Sequence, residues 1–282
     1  MKINKNYLWS SKYNQLISRN IGLVSYEQQE KIKETPIAIL GVGGLGGPIA
    51  EQLVRSGCEN IIICDNEKFD YTNLNRQIVR LDDIGKEKVK VTKNLLININ
   101  PEVHIRTFTS ITPTNIKKIF DGVKIGTLTL DDPFALIMIT RWCRNKNIDL
   151  IESYGMPVLW AWWITEDSTD YEEVYDLNTH KFSLEDLKKK SDLNVLFHNS
   201  VVNKIGHLPG IPTLYNQEEG AWERLSSGAS PFFTMAPFVR LTASYMAYEI
   251  IFSGILGVKH KILAPQIKGF DYVHMRVIHT SV

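Results

Sequence analysis

A glycine-rich turn between a buried strand and a helix constrains this chain more than any other feature. The apolar run Ile37–Leu40 is bounded by proline and glycine, a pattern typical of a strand inside a parallel sheet. The letters GVGGLG follow at 41–46 and open a helix, so the backbone there can approach a phosphate. Asp65 ends the next predicted strand, where a carboxylate can accept hydrogen bonds from ribose hydroxyls. A glycine turn also forms for purely structural reasons, but this spacing favours a nucleotide site.

The order of the predicted elements defines the fold class. Strands and helices alternate as β-α-β-α-β-α-β through the first 155 residues. This order predicts an α/β fold, a Rossmann-like doubly wound sheet that is parallel in its N-terminal half and has helices on both faces. The predicted strands lie at 37–40, 61–63, 103–107, 127–130, 149–153, 157–164 and around 273–278. The predicted helices lie at 25–33, 48–55, 86–98, 133–145 and 237–253.

Composition excludes several classes of protein. The 282 residues are 44% apolar and 22% charged, which rules out a disordered, fibrous or coiled-coil chain. The formal net charge of +1 argues against a globally basic binder of DNA or RNA. The three cysteines, Cys58, Cys64 and Cys143, lack C-x-x-C spacing, so neither zinc nor a disulfide framework is expected. With a polar N-terminus and no uninterrupted membrane-length apolar run, we expect a cytoplasmic protein without membrane contact.

Polar and basic residues concentrate in the segment after Asp65. They are Asn73, Arg76, Gln77, Arg80, Lys86 and Lys88. A triphosphate carries about four negative charges and needs Arg and Lys donors, whereas a dinucleotide dehydrogenase has little use for so many. From the residues alone, a phosphate site and an ordinary solvated surface loop are equally open.

Two aspartates follow the predicted strand at 127–130. A carboxylate at this edge of an open α/β sheet can hold Mg²⁺ through oxygen. An aspartate before a proline at the first helical position is also a good N-cap. Asp131 and Asp132 can therefore divide these roles, one binding the metal and the other capping the helix at Pro133.

These motifs together resemble the ThiF/MoeB/HesA family, the bacterial relatives of ubiquitin-activating enzymes. The resemblance rests on strand–GVGGLG–helix, then IIICDNEKFDYTNLNRQ, then IGKEKV. The flanks agree, because YNQLISRNIG resembles the family's arginine-bearing N-terminal helix, and APFVRLTASYMAYEIIFSGILG with KGFDY resembles its last helix and closing strand. The match covers nearly the whole chain and is weakest in 165–230.

The resemblance implies a role for each matched residue. Gly41, Gly43, Gly44 and Gly46 would bind ATP, with Asp65 on the ribose and Gln77 beside the nucleotide. Asn73, Arg76 and Lys88 would contact the phosphates, Asp131 would hold Mg²⁺, and Arg19 would reach the phosphates of the partner subunit in a homodimer. The family reaction is acyl adenylation, usually of the C-terminal carboxylate of a ubiquitin-like or sulfur-carrier protein, or of a ribosomally made precursor peptide.

Departures from the family pattern narrow the expected mechanism. Asp132 stands where asparagine is frequent, and Leu136 stands where an arginine is common. The paired C-x-x-C motifs of zinc-binding members are missing, and 165–230 contains no cysteine. We therefore expect the acyl-AMP to pass to an external nucleophile without an enzyme thioester. Peptide-adenylating microcin-type relatives carry an N-terminal peptide-clamp domain, for which the roughly 35 residues before the first strand are too few.

Other functions stay open beside this one. A tRNA threonylcarbamoyladenosine dehydratase of the same family would want a basic face, which the net charge hardly supports. A scaffold that binds ATP without turnover would not need Arg76, Lys88 and Asp131. An NAD oxidoreductase is disfavoured by the N-L-N-R-Q motif at 73–77.

The predicted organisation is one integrated domain in four parts. These are an N-terminal helical arm (1–34), an ATP-binding Rossmann-like region (35–164), a crossover or substrate loop region (165–230), and a closing helix and strand (231–282). The acidic stretch 165–194 is expected to be a solvated loop, with a basic partner as the alternative. Trp160, Trp162 and Trp163 are expected in the core or a dimer contact, with an acceptor groove as the alternative.

Overall fold

The computed structural model describes residues 7–282, so the first six residues of the predicted N-terminal arm lie outside the described residues. The strands are β1 (Ile37–Leu40), β2 (Asn60–Cys64), β3 (His104–Phe108), β4 (Ile125–Leu128), β5 (Asp149–Glu152), β6 (Val158–Leu159), β7 (Trp162–Ile164), β8 (Gln266–Asp271) and β9 (Arg276–Ser281). The helices are α1 (Ser11–Leu16), α2 (Tyr26–Glu34), α3 (Gly46–Arg55), α4 (Lys88–Ile99), α5 (Ile116–Ile119), α6 (Pro133–Arg144), α7 (Tyr171–Val174), α8 (Leu184–Lys189), α9 (Leu193–Ile205), α10 (Ile211–Tyr215), α11 (Ala221–Ser226) and α12 (Ala236–Glu249). Short 3₁₀ helices cover Tyr71–Asn75 and Leu81–Asp83, and a π-helix over Ile250–Ile255 continues α12.

The central sheet has six strands in the order β3-β2-β1-β4-β5-β7. Its first five strands are parallel, and β7 pairs antiparallel with β5. The strand order reverses between β1 and β4, which is where open α/β sheets bind ligands. Leu40 lies opposite Cys64 of β2 and Leu128 of β4, so these three strands end at one common edge. This topology confirms the predicted fold class.

Both faces of the sheet are covered by apolar side chains. One cluster joins strand residues such as Ile39 and Ile63 to α3, α4 and α12, and the other joins Leu40 and Ile62 to α6 and the helices after β7. Trp160, Trp162 and Trp163 are fully buried. They therefore belong to the core, and they expose no surface to an acceptor groove.

The C-terminal prediction is partly wrong. The single strand predicted at 157–164 is two short strands that pair in different sheets, β6 with β8 and β7 with β5. The strand predicted around 273–278 is the second arm of a hairpin. Its first arm, β8, contains most of the segment KGFDY, which the family resemblance assigns to the closing strand. Because β8 pairs with β6 through residues far away in sequence, its strand character depends on tertiary contacts.

The stretch 165–194 is not a solvated loop. It contains α7, α8 and the start of α9, and Tyr171, Glu172 and Tyr175 are buried. Arg141 on α6 donates to both carboxylate oxygens of Glu172, at 2.6 and 2.8 Å, so this buried acid is paired with a residue outside the stretch. A four-residue helix such as α7 is also too short to show helical periodicity.

The described part of the N-terminal arm packs on the amino edge of the sheet. The capping box of Ser25 and Gln28 begins α2 as predicted. Tyr13 lies on α1, and its hydroxyl donates to the Gly57 carbonyl at 2.8 Å. Gly57 lies in the loop that leads into β2. Among the helices of residues 7–282, none combines the length and apolar character needed to cross a bilayer.

Candidate functional site

The candidate site, here called the cleft, lies at the carboxyl edge of the sheet, where β1, β2 and β4 end. Gly41 has a φ of +89°, and its N–H donates to the Cys64 carbonyl at 2.7 Å. A side chain at Gly41 would overlap the Thr129 carbonyl, and one at Gly46 would overlap the Gly41 carbonyl. A side chain at Gly43 would meet only Gln77, 3.7 Å away. Gly41 and Gly46 are thus required by the turn itself, whereas Gly43 leaves space beside it.

Asp65 holds the glycine turn from the end of β2. Its Oδ2 accepts from the Val42 N–H at 2.9 Å, and its Oδ1 accepts from the Glu67 N–H at 2.8 Å. Burial raises the pKa of Asp65, although these hydrogen bonds and Lys88 counteract the rise. Each carboxylate oxygen keeps a second lone pair that can accept from a ligand hydroxyl.

The N-L-N-R-Q motif forms the 3₁₀ turn beside the glycines. Asn73 caps this turn, because its side-chain oxygen accepts from the Asp70 N–H at 3.1 Å. Arg76 lies at the end of the turn, and its side chain is 3.8 Å from the position that a Gly44 side chain would occupy. Those nearest atoms are side-chain methylenes; one terminal nitrogen of the guanidinium donates to the Thr72 carbonyl and to the Asn75 side-chain oxygen, and its other N–H groups can pair with an anion.

Lys88 begins α4 and is 3% exposed. Its ammonium pairs with the Glu67 carboxylate at 2.5 Å, whose own side chain is largely exposed. A buried lysine is costly unless it is paired, so Glu67 holds the charge in place at the cleft. Sequence reasoning missed Glu67, although it lies within the segment DNEKFDY that follows β2.

The carboxyl of Asp131 interacts electrostatically with the charged groups of the cleft. The residue is exposed, yet surrounding protein desolvates its carboxyl and raises the pKa, and the negative charge of Glu67 raises it further. Lys88 and Arg76 lower the pKa of the same carboxyl. Exposure combined with desolvation is expected of a carboxylate on the wall of a cleft. The charges of Arg76 and Lys88 therefore act on Asp131, and the roles predicted for these three residues stay predictions.

Asp132 takes the capping role. Its carboxylate accepts from the N–H groups of Phe134 and Ala135 at 3.0 and 3.3 Å, at the first turn of α6. This confirms that one of the two aspartates caps the helix and leaves Asp131 free of that role.

Gln77, beside the glycine turn, has an unsatisfied hydrogen-bond acceptor among the described residues, its Oε1 atom. The side chain is 7% exposed, and among residues 7–282 no group donates to its Oε1. Buried polar atoms are almost always hydrogen-bonded, so an unfilled oxygen at this place suits an O–H or N–H of a bound ligand. The residues of the cleft therefore fit a nucleotide.

Arg19 is not brought to this cleft. It is exposed in the turn after α1. Its neighbour Ile17 packs near Gly57, and Asn20 donates to the Ser56 carbonyl at 3.0 Å. Both contacts lie at the amino edge of the sheet, opposite the glycine turn, so Arg19 has no route to the cleft of its own chain.

A far part of the chain completes the wall of the cleft. The Asn75 amide donates to the Thr234 carbonyl at 3.1 Å, while its oxygen accepts from Arg76 at 2.9 Å. The Thr234 hydroxyl donates to the Gly155 carbonyl at 2.7 Å. Val239 of α12 then packs on the position where a Gly44 side chain would stand. Asn75 lies inside the N-L-N-R-Q motif, but only the fold shows that it joins Arg76 to this wall.

A second polar cluster lies beside the cleft at the end of β5. Glu152 is 2% exposed and accepts from Trp162 Nε1 at 2.9 Å, Tyr171 Oη at 3.0 Å and Tyr175 Oη at 2.8 Å. Burial raises the pKa of Glu152 to about 7, and the three donors oppose that rise. These donors come from β7 and from the two ends of α7, so no local sequence pattern predicts the cluster.

Two further sets of side chains, one acidic and one made of the cysteines, contain groups that could bind a metal or act as nucleophiles. Asp170, Glu172 and His180 have ligand atoms within 4.8 Å of one another, but Arg141 already occupies both oxygens of Glu172. That group is an ion-pair network. The three cysteines are buried, and burial raises the pKa of each thiol, that of Cys64 to about 12. A nucleophilic thiolate needs the opposite environment.

The sheet order and the polar cleft at its switch point define a Rossmann-like α/β protein with a ligand site at the carboxyl edge. The sequence profile of the ThiF family matches residues 17–281, and the chain belongs to that family. The match confirms the resemblance seen in the glycine turn and the N-L-N-R-Q motif.

Curated relatives match about half of the chain. Ubiquitin-like modifier-activating enzyme 5 of Caenorhabditis elegans is 31% identical over 165 residues, which are 54% of this chain and 39% of that protein. The tRNA threonylcarbamoyladenosine dehydratase of Bacillus subtilis (strain 168) is 34% identical over 141 residues, which are 49% of this chain and 56% of that enzyme. The matched region thus spans between two fifths and just over half of these relatives.

Solved structures share the fold over almost the whole chain. PaaA is 20% identical, with a TM-score of 0.68 over 99% of this chain and 86% of its own. Escherichia coli MccB, crystallised with ATP, is 23% identical, with a TM-score of 0.64 over 96% of this chain and 73% of its own. At this identity the likeness concerns the fold, and it agrees with the fold class predicted from sequence.

Proposed function

We propose that this chain is an ATP-dependent adenylyltransferase that activates a carboxylate as an acyl-AMP. The observation that carries the proposal is the glycine turn that Asp65 holds through the Val42 N–H, with Arg76 packed beside it, in a member of the ThiF family. The crystallisation of its structural neighbour MccB with ATP supports the choice of nucleotide.

The proposed roles follow the geometry of the cleft. The turn glycines Gly41, Gly43, Gly44 and Gly46 and the unfilled acceptor of Gln77 hold ATP, with Asp65 on the ribose. Arg76 and Lys88 contact the phosphates. Asn73 acts through the 3₁₀ turn that it caps, because that turn carries Arg76.

In the proposed reaction, a carboxylate oxygen of the acceptor attacks the α-phosphorus of ATP. The bond from the α-phosphorus to the bridging oxygen breaks, and pyrophosphate leaves with that electron pair. An acceptor carboxylate is already ionised at neutral pH, so the step needs no general base. The chain contributes positioning and the positive charges of Arg76 and Lys88.

Mg²⁺ fits this cleft at Asp131. An exposed carboxylate provides the oxygen ligand that Mg²⁺ prefers, and Asp132 is already used as a cap. When bound, the ion supplies positive charge near the phosphate oxygens. No role for zinc is proposed.

The proposed acceptor is the C-terminal carboxylate of a small ubiquitin-like or sulfur-carrier protein, or of a precursor peptide. Two relatives support this class, a ubiquitin-like modifier-activating enzyme and the microcin C7 biosynthetic enzyme MccB, which was crystallised with N-formylated MccA. The buried cysteines support direct transfer of the acyl group to an external nucleophile, without an enzyme thioester. Such chemistry suits a cytoplasmic enzyme.

ATP–pyrophosphate exchange tests the proposal. Small proteins and peptides encoded beside the gene are screened as acceptors, and we expect one of them to start exchange. The Asp131→Ala variant serves as the control and should abolish the signal. Tight ATP binding without exchange for any acceptor would instead favour a nucleotide-binding scaffold.

The tRNA dehydratase relative is the observation that favours a second candidate, activation of the carboxylate of a modified adenosine in tRNA. The net charge of +1 gives little support for RNA binding. Adding total tRNA to the same exchange assay separates the two functions, because only one acceptor class will start exchange.

We further propose a homodimer in which Arg19 reaches the phosphates of the partner subunit. The position of Arg19 at the amino edge, away from its own cleft, supports this role. Arg19→Ala and Asp131→Ala should each be inactive alone. Mixed and allowed to exchange subunits, they should regain part of the activity, since one site of each heterodimer is intact. A monomer in solution, or no recovery after verified subunit exchange, would contradict this role.

A further inference from the structure

A groove of about 520 Å³ lies away from the cleft, between the C-terminal end of α9 and the strand β9. One wall is formed by α9 and the turn behind it, including Lys204 and His207. The other wall is β9 itself, including Arg276 and His279. Nothing in the proposed adenylation chemistry uses this groove.

The strand beside the groove is an edge strand. The second sheet has the order β6-β8-β9, so β9 pairs on one side only. Of its six residues, only Ile278 is buried, and Val277 is 77% exposed. Such an edge presents a row of backbone donors and acceptors that can pair with an added extended chain.

The groove also has a charge preference. Among its described lining residues none has a carboxylate side chain, whereas Lys204, His207, Arg276 and His279 offer basic groups. Lys204 pairs with Asp176 at 2.6 Å, but that carboxylate is largely exposed, and such surface pairs are weak. Arg276 uses its Nε on Asp271 at 3.3 Å, which leaves four N–H groups of the guanidinium for another partner.

The edge strand is held rigidly before any partner arrives. Asp271 is fully buried at the end of β8 and accepts from the N–H groups of Val273 and His274 at 3.0 and 3.2 Å. It also contacts His274 Nδ1 at 2.7 Å as well as Arg276. This carboxylate therefore fixes the hairpin turn, so an added strand would meet an edge that is already ordered.

We propose that this groove binds an acidic, extended peptide segment, which adds to β9 as a fourth strand of the small sheet. Its backbone pairs with the free edge of β9. Because side chains alternate along a strand, every second one points toward α9, where Lys204 and His207 complement Glu or Asp. The site is separate from the cleft, so binding here does not depend on the adenylation reaction.

The test uses a fluorescein-labelled peptide of about ten residues that alternates Glu and Thr, a length typical of a long strand. We expect saturable binding that weakens with salt and that slows hydrogen exchange at the amides of β9. The double variant His207→Glu, His279→Glu should bind about tenfold more weakly or worse, because both changes place negative charge in the groove. A matched control, His104→Glu with His260→Glu, makes the same charge change at exposed histidines elsewhere and should bind like the wild type.

Two other peptides separate strand addition from simple ion pairing. A Lys–Thr peptide should bind much more weakly, because Lys204 and Arg276 of the groove repel it. A Glu–Thr peptide that is methylated at every backbone nitrogen keeps the charge but has no N–H donors, so it should bind much more weakly than the unmodified Glu–Thr peptide. Equal binding of the N-methylated and unmodified Glu–Thr peptides, or equal loss in both double variants, would overturn the proposal. The proposal would also be overturned if the protein were a dimer that dissociated in the groove variant and not in the control. A second copy of the chain would then occupy the free edge of β9.

Discussion

The cleft edge and the helical layer over 165–230 both contain buried charged groups, but the two regions leave them in different states. In the cleft, Gln77 has an acceptor without a partner, and Asp131 is exposed. In the layer, Arg141 and Thr179 fill the oxygens of Glu172, and three aromatic donors fill those of Glu152. Saturated polar clusters stabilise a fold, whereas unsaturated ones have capacity left for a ligand. The comparison predicts that substitutions in the two regions will fail in different assays.

The largest effect is expected at the glycine turn. Gly46→Ala should destabilise the fold by about 4 kcal/mol or more, because the new methyl group would overlap the Gly41 carbonyl. Gly43→Ala should fold normally, since its methyl group meets only Gln77 at 3.7 Å. It should instead weaken ATP binding by filling space beside the turn. Urea unfolding and calorimetric ATP titration of both variants separate the effects, and equal stability losses would contradict the distinction drawn between the two glycines.

The next effect concerns the charged groups of the cleft. Lys88→Ala, Arg76→Ala and Asp131→Ala should each reduce adenylation about a hundredfold or more, because each removes a charge near the reacting phosphate. Lys90→Ala is a matched control on the same helix, where Lys90 is exposed and pairs only with Glu87. The control should keep full pyrophosphate exchange. Nearly full Mg²⁺-dependent exchange in Asp131→Ala would show that Asp131 does not hold the metal.

In the layer beside the cleft, the expected effect is on stability and depends on pH. The pKa of Glu152 is raised from 4.5 to about 7 in the folded state, so the folded protein keeps a proton that the unfolded chain loses. The resulting stabilisation is present below pH 4.5 and is lost as pH rises to about 7; it amounts to about 3 kcal/mol. Relative to Glu152→Gln, the wild type should therefore lose about that much unfolding free energy between pH 4.5 and pH 8. A constant difference between the two proteins would show that Glu152 titrates normally.

The smallest effect on activity is expected for the cysteines. All three are buried, so a triple variant with Cys58→Ser, Cys64→Ser and Cys143→Ser should lose a few kcal/mol of stability, roughly, from buried hydroxyls. It should still form the acyl-AMP and transfer it. Mass spectrometry on the wild type and on Cys143→Ser decides the point. A thioester-linked partner on the wild type that is missing from Cys143→Ser would restore the thioester mechanism.

The sequence predicts the nucleotide half of the molecule well because its signals are local. The apolar run before Gly41, the capping box at Ser25 and the cap at Asp132 each depend on neighbours within a few residues, and the structure confirms all three. The placement of Asp65 at the end of β2, beside the glycine turn, could also be predicted, because parallel strands end at one edge. The chemical roles of the charged residues of the cleft stay predictions.

What the sequence could not predict depends on contacts between distant segments. Glu172 looks like part of a solvated acidic loop until Arg141 is placed beside it. The pairing of β8 with β6 joins two segments that are far apart in sequence. Asn75 can be recognised in the sequence as part of the N-L-N-R-Q motif, but its hydrogen bond to Thr234 cannot. Tertiary partners determine these features, and no periodicity along the chain encodes them.

The bond from Asn75 to Thr234 has a consequence for synthesis of the protein on the ribosome. The two residues are 159 positions apart, so the glycine turn emerges long before the segment that closes its wall. At about 5–20 residues per second, roughly 8–30 seconds separate the two events. During that time the nascent chain carries the motif of a nucleotide site without the site itself. Tight ATP binding should therefore require a nearly completed chain. A nascent chain on a ribosome stalled before residue 234 should have a folded β/α half that does not bind the nucleotide tightly.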